Sequence, residues 1–159
     1  MGRAVGRINA GGAYHFYMET QVAVASVLDG EYVEVVCGSQ DLTACQSRVA
    51  SLVGVPQNKV IVSCPRTGGG FGGKLSGNMT VAGAAALCAL KLKKPVRIFN
   101  SRIADMTMQG GREAWQFQYE VGYNDDGLIT ALKYDIHVDG GSASGDTLAS
   151  LAMGKYFFV

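Results

Sequence analysis

Three features of the sequence predict a mixed α/β fold: a strand-helix-strand alternation between Tyr32 and Cys64, a glycine-rich loop opening onto a helix, and two late strands joined by a turn. Together they describe a β-α-β-loop-α unit followed by an antiparallel hairpin. YVEVVC, Tyr32 to Cys37, is β-branched and apolar with Glu34 its one charge, the pattern of a largely buried strand ended by Gly38 and Ser39. Asp41 is a helix cap, and Leu42, Cys45, Val49, Leu52 and Val53 recur mostly at three- and four-residue spacing, so a helix runs to Val53 and stops at Gly54. Val60 to Cys64 is a second β-branched strand, with Pro65 directly after it.

The run Gly68 to Gly73 forms neither helix nor ladder, and from Met79 to Leu92 the small residues Ala82, Ala85, Ala86 and Ala89 give a helix that packs closely. Lys91, Lys93 and Lys94 complement its C-terminus, and Pro95 stops it before the strand Val96 to Phe99. After a polar stretch with Gly110 and Gly111, Trp115 to Gly122 and Leu128 to Val138 flank Asn124, Asp125, Asp126 and Gly127, a hairpin signal. The last segment, Ser142 to Val159, begins rich in Ser and Gly and ends on the apolar KYFFV, as if cut. The expectation is a single domain, residues 1–159, with no dividing linker and truncated at both ends.

Composition narrows the function classes. Of 159 residues 48% are hydrophobic and 17% charged, against roughly 25% charged in an average soluble domain, so disorder is excluded and protein-protein contact is expected. A net charge of +1 gives no reason to expect nucleic acid or anionic lipid. The longest apolar run, Val81 to Leu90, is half of the roughly 20 residues a membrane span needs. No secretory signal is visible at the N-terminus, which makes a cytoplasmic location the expectation and leaves the sequon at Asn78 silent. Cys37, Cys45, Cys64 and Cys88 lie 8, 19 and 24 residues apart without a CxxC pair, and are expected as buried thiols rather than disulfides or metal ligands.

PRTGGGFGGK, Pro65 to Lys74, is the central feature. Gly68 to Lys74 satisfies GxxxxGK, but Leu75 stands where a nucleotide-binding P-loop needs Ser or Thr for magnesium. Gly68, Gly70 and Gly73 also match GxGxxG, a pattern that a run with five glycines meets by chance, and no acidic residue sits at a strand end about 20 residues on. A plain tight turn needs one or two glycines. Five around the single side chain of Phe71 describe bare backbone that lets a bulky anionic group approach amide hydrogens.

HFYMETQ (His15 to Gln21), then GGGFGGK, then the pattern of Ser101, Arg102, Asp105, Gly110, Gly111 and Arg112 resemble the xanthine dehydrogenase and aldehyde oxidase family, specifically the first part of its molybdenum-cofactor domain. The resemblance runs from about Gly11 to Gly145. It implies a molybdenum-molybdopterin cofactor held largely by backbone, with Gly69, Gly70, Phe71, Gly72 and Gly73 as its contacts. It also implies 2Fe-2S clusters and FAD in the remaining domains of a longer polypeptide, a homodimer, and hydroxylation of an aldehyde or aromatic heterocycle by water-derived oxygen. Family members carry the catalytic glutamate far downstream, so no catalytic residue is expected in this chain, which alone is expected to be inactive. No residue here is expected to ligate the metal, which the pterin dithiolene holds.

Two departures from the family matter. Where it has a glutamine reaching the metal centre, this chain has Ala13, which keeps open a diverged, non-catalytic binding paralogue. After the loop lysine stands Leu75, as in many aldehyde oxidases, where xanthine-binding members have glutamate; an apolar wall favours aldehydes or apolar heterocycles. Other candidates read as structural. His15 and Glu19 have the spacing of a metal pair but more commonly make hydrogen bonds, His137 is a surface or sheet residue, Trp115 belongs to the core, and Arg112 serves a structural ion pair or lies near the cofactor.

Overall fold

The computed structural model describes residues 1–141; Ser142 to Val159, including the KYFFV end, lie outside the described residues. In chain order they form β1 (Gly2–Ala10), β2 (Val22–Leu28), β3 (Tyr32–Cys37), α1 (Leu42–Val53), β4 (Val60–Ser63), α2 (Asn78–Leu92), β5 (Val96–Phe99), α3 (Arg102–Met108), β6 (Ala114–Tyr123) and β7 (Ile129–Asp139). The described residues divide into two compact units, Met1–Ala13 with those from Gly111 on, and Tyr14–Gly110. The division follows from pairing across the sequence: Gly2 to Ala10 lie opposite Tyr123 to Trp115, so the N-terminal strand closes a sheet with the late hairpin.

Tyr14–Gly110 is a mixed sheet with two helices on one face. Its strand order among the described residues is β4-β3-β2-β5. β3 and β4 are parallel, Val33 opposite Val60 and Val36 opposite Ser63, as a β-α-β crossover through α1 requires. β2 pairs antiparallel with both β3 and β5. Alternation places Ala23, Ala25, Val33, Val35 and Val60 inward, against Cys45 and Val49 of α1 and Val81, Ala82, Ala85, Ala86 and Ala89 of α2. The alanines keep α2 near the sheet, where larger side chains would hold it off.

α1 is closed at both ends as the sequence predicts: Asp41 Oδ1 accepts from the Ala44 amide at 2.9 Å, and Gly54 takes a left-handed φ of 75°. Asn78 is buried, so its sequon is inaccessible in the fold.

The first unit holds a three-stranded antiparallel sheet among the described residues, in the order β1-β6-β7. The predicted turn forms, with the Asn124 carboxamide oxygen accepting from Leu128 N at 2.9 Å and Gly127 at φ 81°. Trp115 departs from expectation. It is half-buried rather than in the core, and its ring stacks on Phe117 with centroids 5.8 Å apart and planes 6° from parallel. Both lie on one pleat face of β6, two residues apart, so each covers the other.

Candidate functional site

Three residues of positive φ shape the glycine loop. It leaves the end of β4 and makes a turn in which the Gly73 amide donates to Gly70 O at 2.8 Å. Gly69, Phe71 and Gly72 have φ of 89°, 50° and 98°. The last of these is open to glycine alone without strain, and a left-handed phenylalanine costs about 1–2 kcal/mol. Phe71 is nonetheless 64% exposed, so burial of its ring does not compensate. Its backbone is held instead, because His15 Nδ1 lies 3.0 Å from Phe71 O.

The HFYMETQ segment wraps the loop from beneath. Glu19 exchanges backbone and side-chain bonds with Gly68: the Glu19 amide donates to Gly68 O at 3.1 Å, and the Gly68 amide donates to Glu19 Oε2 at 3.2 Å. The same carboxylate oxygen pairs with Lys74 Nζ at 2.5 Å, the lysine side chain 0% and the glutamate side chain 34% exposed. Lys74 Nζ also lies 4.9 Å from the Tyr17 ring centroid. Partial burial pushes the Glu19 carboxyl up, but the bonds from Lys74 and Gly68 outweigh it and leave it below the usual carboxylate range. Gln21 Nε2 donates to Gly73 O at 2.8 Å and to the Tyr17 hydroxyl at 3.0 Å.

The third motif locks the first. Asp105, buried in α3, accepts from the Tyr17 hydroxyl at 2.6 Å and from the Gln21 amide at 2.5 Å. Burial first, then the Asp105 carboxylate, raises the Tyr17 phenol far above the ordinary range. Arg102 donates to Tyr17 O and Met18 O and stacks on the exposed Phe16, itself at φ 42°. Ser101 caps α3 through the Ala104 amide.

The predicted residues thus divide. Gly69 to Gly73 form the loop, and Leu75 follows it half-buried, its amide donating to Gly72 O. His15 and Glu19 serve hydrogen bonds to the loop, as expected. Ala13 and Arg112 are exposed residues of the first unit, and Arg112 enters none of the ion pairs among the described residues. His137 is exposed on β7.

Lys74 does not reach outward as a P-loop lysine must; its ammonium is consumed by Glu19. Gln40 was invisible in the sequence, where Gly38 to Asp41 carried only a strand stop and a cap. Its Oε1 accepts from the Gly72 and Lys74 amides, each at 3.0 Å.

The cysteines correct one expectation. Cys37 and Cys45 are buried with sulfurs 4.0 Å apart, too far for a disulfide, but Cys64 is half-buried and Cys88 is exposed on α2. Hydrogen bonding with Cys45 lowers the Cys37 thiol to about 7, while that bond and burial push Cys45 up.

A family model described as the molybdopterin cofactor-binding domain matches residues 4–158. Indole-3-acetaldehyde oxidase of Arabidopsis thaliana is 44% identical over 138 residues, 87% of this chain and 10% of that protein. Xanthine dehydrogenase of Drosophila subobscura is 37% identical over 153 residues, 96% of this chain and 11% of that protein. The aldehyde oxidoreductase structure from Desulfovibrio gigas shares the fold with a TM-score of 0.71 at 22% identity, covering 86% of this chain and 15% of that one. Quinoline 2-oxidoreductase from Pseudomonas putida 86 gives 0.68 at 22% identity, covering 85% and 17%. The chain spans about a tenth of the length of the curated relatives it matches.

Proposed function

This chain belongs to the molybdopterin cofactor-binding domain family, and from that premise we propose that it is one segment of a molybdenum hydroxylase acting on aldehydes or apolar aromatic heterocycles. The observation that carries the reading is a division among the loop amides. Those of Gly68, Gly72, Gly73, Lys74 and Leu75 donate within the protein, whereas those of Gly69, Gly70 and Phe71 donate to no group among the described residues. Three successive unpaired amides beside an exposed aromatic ring suit an anionic ring system with many acceptors.

The residues present therefore fit a pterin: Gly69, Gly70 and Phe71 would hold it by backbone, with the Phe71 ring as a wall. Bound there, the molybdenum-pterin group would supply oxidation of a carbon-hydrogen bond with oxygen drawn from water. The part of this chain is to bind and orient. His15, Glu19, Gln21 and Gln40 keep the loop in shape, and the apolar Leu75 offers a purine no hydrogen bond.

On this reading the native polypeptide is several-fold longer and contains the catalytic glutamate, 2Fe-2S clusters and FAD. It works as a cytoplasmic homodimer, and the 159 residues alone turn over nothing. Among the described residues no helix is long and apolar enough to cross a membrane. Ala13, which has no side-chain donor for the metal centre, favours a second reading, a diverged paralogue that binds without catalysis.

The test is the intact mass of the native polypeptide together with its molybdenum and pterin content. A long chain bearing both supports the proposal, and a native product of 159 residues overturns it. Aldehyde turnover by the isolated chain would overturn the predicted inactivity. In the full-length protein, Ala13→Gln raises the rate of a weakened enzyme and leaves a non-catalytic paralogue at zero.

A further inference from the structure

We propose that Cys37 and Cys45 form a reversible dithiol switch, oxidised to a disulfide by hydrogen peroxide, whose closure displaces the connection between β3 and α1 and loosens the end of the glycine loop. Cys37 is the last residue of β3, and Cys45 lies in the first turn of α1, eight residues on. Their sulfurs stand 4.0 Å apart, about 2 Å beyond the length of a disulfide bond. Gly38, Ser39, Gln40 and Asp41 between them belong to neither strand nor helix, so this stretch can absorb the approach.

The two thiols are unequal, as such a reaction requires. A hydrogen bond from Cys45 first, then Asn78 Nδ2 at 3.9 Å and the Lys74 ammonium, favour a thiolate at Cys37, which is lowered to about 7. The same buried carboxamide has its Oδ1 unpaired among the described residues, an acceptor left over for an added hydroxyl. Size selects the oxidant. Cys37 is 4% exposed and Cys45 fully buried, so a molecule little larger than water can reach the pair where a peptide disulfide cannot.

The Cys37 thiolate attacks one peroxide oxygen, the O–O bond breaks, and hydroxide leaves a sulfenic acid behind. Cys45 sulfur then attacks Cys37 sulfur and displaces the remaining oxygen as hydroxide. The two thiol protons convert both hydroxides to water: two thiols and one peroxide give one disulfide and two waters, sulfur oxidised and peroxide reduced.

The connection is packed against the anchorage of the loop. A Cβ at Gly38 would stand 2.8 Å from Glu19 Oε2 and 3.0 Å from Lys74 Nζ, and the Gln40 amide donates to Lys74 O at 2.8 Å. Drawing Cys37 and Cys45 together therefore shifts peptides that meet Lys74 without slack. That a loosened loop also releases its ligand rests on the cradle reading.

The test treats the native polypeptide with hydrogen peroxide and reads by mass the tryptic peptide Ile8 to Arg48, which contains both cysteines. Hydrogen exchange of Gly68 to Leu75 and pterin per polypeptide are read beside it. The expected peptide is two hydrogens lighter and takes no alkylating agent until reduced. Exchange at Gly72 and Lys74 should rise about fivefold, the loss of one hydrogen bond, pterin should fall, and dithiothreitol should restore mass and exchange. Cys45→Ala should abolish the exchange response, whereas Cys88→Ala, exposed on α2, should respond as the parent does.

A peptide that stays reduced or passes straight to sulfinic acid, or a disulfide without faster exchange, would overturn the proposal; these readings on the parent decide it even where Cys45→Ala does not fold. A peroxide response that persists in Cys45→Ala would overturn it too. Pterin that stays bound through oxidation, or a parent that never held any, would instead overturn the cradle reading, while mass and exchange still decide the switch.

Discussion

Glu19 and Lys74 lie 55 residues apart in sequence and meet in a 2.5 Å ion pair whose lysine side chain is fully buried. The pair fastens the C-terminal end of the glycine loop to the segment that underlies its start. Removing the lysine leaves a carboxylate with only the Gly68 amide to balance it, and removing the carboxylate leaves a buried ammonium. Because Glu19 retains solvent contact, Lys74→Met is expected to cost about 2–3 kcal/mol, below the range for a fully buried pair. Glu19→Gln with Lys74→Met should recover part of that loss in a double-mutant cycle followed by urea unfolding. Additive losses would show that the two do not interact.

The pH dependence follows from the same carboxylate. Its folded pKa lies below the unfolded value, so its contribution is complete above the unfolded pKa and disappears as pH falls through the folded one. Stability should decline on acidification below about pH 4–5, and Glu19→Gln should flatten that part of the profile. An unchanged acid slope in the variant would assign the decline to other groups.

Tyr17 and Asp105 predict the alkaline side. A phenol raised by burial and by its carboxylate partner contributes stability that is present below its unfolded pKa of about 10 and lost as pH rises through the folded value. One tyrosine should therefore stay un-ionised in phenolate absorbance until the fold opens. Asp105→Asn should cost about 2–3 kcal/mol, since it disturbs two charge-assisted bonds, and Tyr17→Phe about 1–2 kcal/mol. The reverse order would mean that Tyr17 packing rather than the carboxylate holds the joint.

Phe71 separates stability from binding. Phe71→Gly relieves a left-handed side chain and forfeits an exposed ring, while it loosens the unfolded chain, so net stability should move by less than about 1 kcal/mol. Pterin content of the native polypeptide should nevertheless fall. A variant that keeps its full pterin would remove Phe71 from the site.

Thiol labelling checks the placement of the cysteines. Cys88 should be alkylated first in the folded protein, Cys64 more slowly, and Cys37 and Cys45 only on unfolding, although the Cys37 thiol is the more acidic of the buried pair. Early modification of Cys37 would show that the core beside β3 opens readily.

Much of the architecture was legible because local pattern and tertiary role agreed. The β-branched runs at Tyr32 to Cys37 and Val60 to Ser63, the cap at Asp41, the alanine helix and the hairpin turn all formed where expected. β1 was not legible: GRAVGRINA carries Gly and Arg rather than a β-branched run, and becomes a strand by pairing along the whole of β6. α3 was hidden in a polar stretch; its seven residues depend on the Ser101 cap and on Asp105 reaching Tyr17 and Gln21. At the site, clustered glycines marked the loop, but nothing in spacing says that Lys74 turns inward or that Gln40 turns toward Gly72. Both orientations depend on contacts between distant segments, which a local pattern does not carry.

Those distances bear on when the loop can exist. Its supports lie 49 residues before Gly68, at Glu19, and through Tyr17 they reach Asp105, 88 residues further along. A nascent chain emerging from the ribosome holds the complete GGGFGGK stretch well before α3 has been made, yet the Tyr17–Asp105 bond cannot close until then. The loop is thus completed late in the folding of this segment, its closure settled only once Asp105, 88 residues beyond Tyr17, has been synthesised. Until Asp105 is in place a pterin meets a loop whose supports are incomplete.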